Sequence, residues 1–306
     1  MFKAMKISVA MIVKNEEEML PRALESVKGA DEIVVCDTGS EDSTIEVAKK
    51  FTDKVFTDFK WVDHFGKARQ HSKDKCTGDW IITLDADEYL ETDLKEVRKI
   101  IKKADKEGHV FVNVIVEAEG KAGSNIFPRI YKNIPEITWH GPAHNYLNYK
   151  GSMVGKSYKS DIKIVYGYSP AHKKDPERTL RILKAAVEEN GELTRERYYL
   201  AREYFYRKNW EKCLEHLNEY IPRSRFLGER NDAWMMKAYC LAGLKKYEEA
   251  CDAAWQAIKY NANFKEALKF IGDHMDAVNK VAWHRYAESA TNENVLFVRN
   301  IGNANK

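Results

Sequence analysis

Asp85-Ala86-Asp87 is the sharpest chemical signal in this sequence of 306 residues. In extended backbone, residues two apart point to the same side, so both carboxylates face one way. Two like charges that close are unfavourable unless a cation sits beside them. Oxygen ligands of this kind suit Mg2+ or Mn2+, which keep waters and share coordination with substrate phosphates. The matching chemistry is neutralisation of a diphosphate as it leaves. Asp-x-Asp by itself is common. Here it follows the apolar run Trp80-Ile81-Ile82-Thr83-Leu84, which reads as a buried strand. Two other apolar runs end in polar groups: residues 6–13 lead into Asn15-Glu16, and Ile33-Val34-Val35 into Asp37-Thr38-Gly39-Ser40. Each alone reads equally well as a cap or a turn. Together, on strands of one parallel sheet, they converge on the carboxyl edge, where open sheets bind ligands.

The elements that would hold these groups alternate. Residues 17–27 carry Met19, Leu20, Ala23, Leu24 and Val27 on one helical face, with Pro21 tolerated only near the helix start. Ser40 or Asp42 is placed to cap a helix through Lys50. Residues 55–59 read as a short strand, and 67–75 as a helix. Thr92 is placed to cap a helix to about Lys106, ended by Gly108. Strand and helix in this alternation predict a largely parallel α/β sheet covered on both faces. From His109 the texture changes. Residues 110–117, 126–132, 137–147 and 161–166 read as strands, an antiparallel extension of the same domain.

After Pro176 the chain is almost entirely helical in pattern and repeats itself. Trp210-Glu211-Lys212-Cys213 matches Tyr247-Glu248-Glu249-Ala250 at an offset of 37, and Trp283 lies 36 beyond Tyr247. The run Ala238-Tyr239, Gly243, Tyr247, Ala250, Ala257 resembles a tetratricopeptide repeat (TPR). Such helix pairs bury a core only by stacking. The expected domains are 1–172 and 173–306. Tyr198, Tyr199, Tyr204, Phe205, Tyr206 and Trp210 are read as repeat core.

Composition narrows the class. Hydrophobic residues are 44% and charged residues 32%, which excludes a disordered chain. Fifty basic against 47 acidic residues give +3, short of a dedicated nucleic-acid binder. The five cysteines show no CxxC pair, so they read as small buried side chains in a reducing compartment. Lys14-Asn15-Glu16 stands where a signal peptide would place its small-residue cleavage site, and no apolar run reaches the roughly 20 residues of a membrane span. The expected location is cytoplasmic.

Four segments in order resemble a family 2 glycosyltransferase of the GT-A type: residues 9–16, 33–44, 65–70 and 77–88, with 139–145 resembling a later family motif. The attached repeats resemble the subgroup of peptide S-glycosyltransferases that modify bacteriocins. The resemblance implies a GT-A domain, Rossmann-like with an antiparallel extension, followed by an all-α TPR-like domain. It implies a nucleotide-sugar donor, most often uridine diphosphate-linked, contacted by Val13, Asn15, Glu16, Asp37, Arg69, Asp85, Ala86 and Asp87. Asn15, Glu16 and Asp37 would line the nucleoside pocket. Arg69 would approach the diphosphate or hold the pocket together. Asp85 would meet ribose or metal-bound water, and Asp87 the Mn2+ or Mg2+, with His144 as a further ligand. His140 is a pocket wall or acceptor contact.

Three positions depart from the pattern: Gln70 for Asn, Asn145 where Glu often follows the histidine, and Tyr166 where a histidine often stands. Asn145 has no proton-accepting role, because an amide is not a base. The family inverts the anomeric centre, so a base is expected opposite the leaving group. Glu88, Glu117 and Glu119 are the candidates, and a thiol acceptor would need little base strength.

The expected function is metal-dependent hexosyl transfer to a peptide or protein. The repeats either help choose the acceptor or form a homodimer interface, and Lys173-Lys174 are candidates for the acceptor rim. Alternatives are transfer to a surface glycan, a lipid-linked sugar or a modified DNA base. An inactive repeat scaffold is the rival of another class; a nucleotidyltransferase would offer a Gly-rich basic loop, which Lys14-Asn15-Glu16 is not.

Overall fold

The computed structural model describes residues 4–291 except 121–123, 153–155, 168, 171–174, 193 and 276. Lys173-Lys174, Tyr168 and the expected boundary at 172/173 lie outside the described residues. The chain divides into two compact units, Met1–Glu177 and Arg178–Lys306.

In the first unit the elements run β1 (Ile7–Val13), α1 (Leu20–Ser26), β2 (Glu32–Asp37), α2 (Thr44–Lys49), β3 (Val55–Phe56), α3 (Phe65–Asp74), β4 (Trp80–Thr83) and β5 (Glu88–Leu90). Then follow α4 (Leu94–Lys106), β6 (Phe111–Ala118), β7 (Ser124–Lys132), β8 (Ile137–His140), β9 (Tyr146–Tyr149) and β10 (Ser157–Tyr166). Eight strands form one sheet in the order β3-β2-β1-β4-β7-β6-β10-β5, and β8-β9 form a separate hairpin. The β3-β2-β1-β4 half is parallel. In the other half β4-β7, β7-β6 and β10-β5 are antiparallel, while β6-β10 is parallel. The architecture is the GT-A type of α/β fold that the motifs implied.

Alternation along β1 sorts its side chains between two cores. Val9, Met11 and Val13 join Leu20 and Leu24 of α1 and Trp80 and Ile82 of β4 on one face. Ala10 joins Val34, Ile81, Tyr131 and Ile137 on the other. The second core is where the β8-β9 hairpin packs, through Ile137, Trp139, Leu147 and Tyr149. Pro21 falls in the first turn of α1, where its missing N–H costs nothing.

Two expectations are corrected, and one strand is added. Residues 137–147 are two strands, because residues 141–145 turn back with Gly141 and His144 at positive φ (85° and 48°). Thr92 does not cap α4; Asp93 does, accepting from Lys95 N at 2.8 Å. The Thr92 hydroxyl instead accepts from Lys163 N at 2.9 Å and pins β10. Residues 88–90, unassigned from sequence, form β5 at the far edge of the sheet. There Leu90 N donates to Ser26 Oγ at 3.0 Å, so that edge curls back to α1.

The second unit contains α5 (Arg178–Glu189), α6 (Thr194–Tyr206), α7 (Trp210–Arg223), α8 (Leu227–Gly243), α9 (Tyr247–Tyr260), α10 (Lys265–Asp273) and α11 (Ala277–Ser289). Trp210 and Tyr247 open α7 and α9 as the repeat required. Trp283 lies inside α11, so the third period is out of phase with its helix start. Ala250, Ala253, Ala254 and Ala257 of α9 pack against Met235, Ala238 and Leu241 of α8. A Cβ on Gly243 would stand 2.7 Å from the Trp210 indole nitrogen, so only glycine admits the ring there. Tyr198, Tyr199 and Phe205 are buried core; Tyr206 is 38% exposed. The five cysteines are free thiols, four of them buried. Among the described residues no helix is long and apolar enough to cross a membrane.

The amino ends of the parallel strands are tied by one carboxylate. Glu32, at the start of β2, accepts from Thr77 N at 2.7 Å and Thr77 Oγ at 2.8 Å. It also accepts from Ser8 Oγ on β1 and from Lys54 Nζ beside β3. Burial works against its ionisation, but the bonds from Lys54, Ser8 and Thr77 outweigh that and hold its pKa at about 2. The folded value lies below the unfolded one of about 4.3, so the stabilisation is present above that pH and is lost as pH falls toward 2. Glu32→Gln is therefore expected to lower unfolding free energy by about 3 kcal/mol near pH 7. Urea titration should show the gap from wild type closing between pH 4.5 and 2.

Candidate functional site

The carboxyl ends of β1 and β2 are laced together by short polar side chains. Val13 O accepts from Thr38 N at 2.9 Å and from Thr38 Oγ at 3.1 Å. Asn15 takes a left-handed backbone (φ 56°), which Asn tolerates better than most residues. Its N–H donates to Ser40 Oγ at 2.9 Å, and its side-chain oxygen accepts from Glu41 N at 2.8 Å. The buried Asp37 carboxylate accepts from Gly39 N at 2.9 Å, from Ser40 N at 3.0 Å and from the Ser40 hydroxyl. Asn15 and Asp37 thus spend these atoms on joining the carboxyl ends of β1 and β2.

Glu16 is buried. Its N–H donates to Thr44 Oγ at 2.7 Å, and its carboxylate accepts the Ser169 hydroxyl at 2.8 and 2.9 Å. Ser169 is fully buried, just beyond the end of β10. Burial raises the Glu16 pKa to about 7; the Ser169 bond opposes this, and the charges of Asp87, Asp42 and Asp85 add to it. Glu16 therefore lies in the field of both aspartates of the Asp-x-Asp segment. The ends of β1, β4 and β10 meet here, as Gly167 N confirms by donating to Asp87 O at 2.8 Å.

The segment after β4 carries the densest charge. Asp85 Oδ1 accepts from Arg69 Nη2 at 2.7 Å, and Asp85 Oδ2 lies 3.5 Å from Arg129 Nη1. Arg129 Nη2 donates to Glu88 Oε1 at 2.6 Å, and Glu88 Oε2 accepts from Asp85 N at 2.9 Å. Desolvation alone would raise the Asp85 pKa, but the two guanidinium charges drive it well down. Glu88 is pushed up by burial and by the Asp85 charge, against the pull of Arg129. Ala86 is buried in the core below, and Asp87 is half-buried, close enough to Glu16 and Arg129 to perturb both. Arg69 is 9% exposed, and its Nε and Nη1 find no hydrogen-bond acceptor among the described residues. Two buried orphan donors beside Asp85 mark a place for an anionic or hydroxylated ligand.

The β8-β9 turn is clamped onto the start of α3. Phe65 N donates to Pro142 O at 2.8 Å and Gly66 N to Gly141 O at 3.0 Å. Trp139 N donates to Gln70 Oε1 at 2.9 Å, so the glutamine found in place of asparagine anchors β8. The Arg69 guanidinium lies 5.3 Å from the centre of the Trp139 ring. His140 is exposed, bonded to Thr138 Oγ at 3.0 Å and stacked on Tyr146 at 5.9 Å between centroids. His144 is half-buried in the turn.

Among the described residues no three His, Cys, Asp or Glu side chains form a ready metal cage. Asp85 is occupied by two arginines. Asp87 is the acid of this segment left to be tested as an ion ligand, since burial pushes Glu16 and Glu88 toward the neutral form. Of the base candidates, Glu88 has both oxygens engaged. Glu119 is paired with Arg22 at 2.9 and 3.1 Å, and Glu117 sits on β6 with Lys163 Nζ at 3.5 Å. Sequence reasoning missed Arg129 and Ser169. A lone Pro-Arg inside the apolar strand pattern of 126–132 was a signal for Arg129. Ser169 had none.

A profile of Glycosyl transferase family 2 matches residues 8–160, half of the chain. A TPR repeat-containing protein of Synechococcus elongatus is 37% identical over 47% of this chain and 36% of its own length. An uncharacterized glycosyltransferase of Rickettsia typhi is 32% identical over 42% of this chain and 45% of its own. The SPbeta prophage-derived glycosyltransferase SunS of Bacillus subtilis is 26% identical over 70% and 53%. The chain thus spans about a third to a half of the length of these relatives. The crystal structure of S. aureus TarS 1-349 in complex with UDP shares the fold at 16% identity, with a TM-score of 0.50 over 80% of this chain and 91% of that one.

A Cβ on Gly66 would stand 2.7 Å from Gly141 O and 2.9 Å from the His140 carbonyl carbon. Gly66→Ala must push the β8-β9 turn off α3. The expected cost is about 1–3 kcal/mol of stability, read by chemical denaturation.

Proposed function

The chain belongs to glycosyl transferase family 2, and from that premise we propose that it transfers a hexose, with inversion, from a nucleotide diphosphate sugar to a peptide or protein side chain. Uridine diphosphate is the nucleotide in this reading. The observation that carries it is the convergence of Asp87, Glu16 and the Arg69–Asp85–Arg129 cluster at the joined ends of β1, β4 and β10. The UDP complex of TarS, which has the same fold, supports the donor, and the glycosyltransferase SunS supports sugar transfer. The TPR relative supports a protein-recognising role for the second unit, proposed as residues 173–306.

In this mechanism the floor made by Asn15 and Asp37, with Val13 and Ala86 beneath, receives the nucleoside. The two unsatisfied Arg69 donors meet the diphosphate. Asp87, with His144 as a candidate second ligand, would hold Mn2+ or Mg2+, which when bound supplies positive charge against the departing diphosphate. The acceptor atom attacks the anomeric carbon from the opposite side and gives its proton to a base; the bond to the β-phosphate oxygen breaks, and its electron pair leaves on the diphosphate. In this reading His140, beside Tyr146, and Glu117 face the acceptor, and Glu117 is the candidate to take that proton. Glu88, locked between Asp85 N and Arg129, holds the loop rather than moving a proton.

The test is a panel of nucleotide sugars, with and without Mn2+, assayed for donor hydrolysis. One donor should turn over only with the ion, and Asp87→Ala should lower that rate by about 100-fold or more. A bound donor at 100 times its Kd should also stabilise the fold by about 2.7 kcal/mol. If no nucleotide sugar turns over and none raises the melting temperature, the transfer reading is lost and the scaffold alternative takes its place.

A further inference from the structure

Arg129 reaches the acidic loop because β7 is irregular. Val112 of β6 pairs with Ile130 and Val114 with Phe127, so three steps on β7 face two on β6. The extra residue falls at Pro128-Arg129, and Pro128 has no N–H to give a regular ladder. Bulges of this kind re-aim a side chain and recur next to active sites. The guanidinium touches Glu88 Oε1 at 2.6 Å and Asp85 Oδ2 at 3.5 Å, while the other Glu88 oxygen holds Asp85 N at 2.9 Å. The side chains of Glu88 and Arg129 are 5% and 17% exposed, so little water competes.

On the sugar-transfer reading above, we propose that Arg129 is a positioning residue: through Glu88 and Asp85 it fixes the 85–88 turn, and with it the direction in which Asp87 meets the donor diphosphate. The planar fork spans two carboxylates at once, which a lysine ammonium cannot do at the same geometry. Arg69 holds Asp85 from α3; Arg129 holds it from β7. The turn is thus fixed from two elements, and Asp87 lies half-buried within it. Misplacement of a reacting group by about 1 Å is enough to cost about 100-fold in rate.

The experiment compares wild type, Arg129→Met, Arg129→Lys and the double variant Arg129→Met/Glu88→Gln. It reads kcat and KM for donor hydrolysis with Mn2+ together with the melting temperature. Arg129→Met is expected to lower kcat by about 100-fold with a smaller change in KM, and to lower the melting temperature. The double variant replaces the carboxyl left without its Arg129 partner by a neutral amide, so its melting temperature should recover part of the loss while kcat stays down. Arg129→Lys keeps the charge without the fork and should fold as wild type with kcat reduced by about tenfold, which carries the test if Arg129→Met does not fold. Recovery of kcat along with melting temperature in the double variant overturns the role, since charge balance would then be all that Arg129 supplies. Unchanged kcat in Arg129→Lys or Arg129→Met overturns it equally. A wild-type protein that turns over no nucleotide sugar removes the transfer reading and this role together, a result visible before any variant is made.

Discussion

The half-buried carboxylate of Asp85, at the end of a central strand, is held by two fixed cations. Taking part of such a charge out of water is costly unless geometry and hydrogen bonds compensate. Arg69 from α3 and Arg129 from β7 meet that need from different elements, and both arginines are themselves largely buried. Asp85 therefore stays charged and aimed. In the proposed reading the two aspartates of the Asp-x-Asp segment have separate work, Asp85 holding the turn and Asp87 meeting the ion.

The remaining acids extend this logic. Glu16 and Glu88 are both pushed toward the neutral form by burial and by neighbouring acids, and each sits against a partner that fixes it, Ser169 or Arg129. Such a cluster is expensive to keep in an apoprotein. A ligand bringing positive charge, or an ion brought with a diphosphate, would relieve it, which is the electrostatic case for donor binding at this edge. Glu32 plays the opposite part at the other end of the strands, where four donors from three segments keep one carboxylate ionised as a tie. One end of the sheet is tied by satisfied charge; the other holds charge that is only partly satisfied.

The helical unit rests on a different principle. Its core is built from small side chains that let helices approach, alanines on α9 and Gly243 against Trp210. Repeats of this kind present surface without needing a reactive centre.

Much was legible in the sequence because periodicity and local chemistry speak for themselves. The strand runs ending in Asn15-Glu16, Asp37 and Asp85-Ala86-Asp87 announced a parallel sheet with an acidic carboxyl edge. The offset of 37 between Trp210 and Tyr247 announced stacked helix pairs. What it left open were long-range pairings. Thr92 looked like a cap until β10 claimed its hydroxyl. Residues 137–147 were read as one strand although Gly141-Pro142 marks a turn inside them, and that turn docks on the start of α3. Ser169 is joined to Glu16 across 153 positions, and Arg129 enters the site only through a register shift between β6 and β7. Composition and spacing determined that Asn15, Glu16, Asp37, Asp85 and Asp87 follow strands at the carboxyl edge. Only the tertiary structure decided which of them are consumed in holding it, because hydrogen-bond partners distant in sequence are set by how the sheet curls and not by any local pattern.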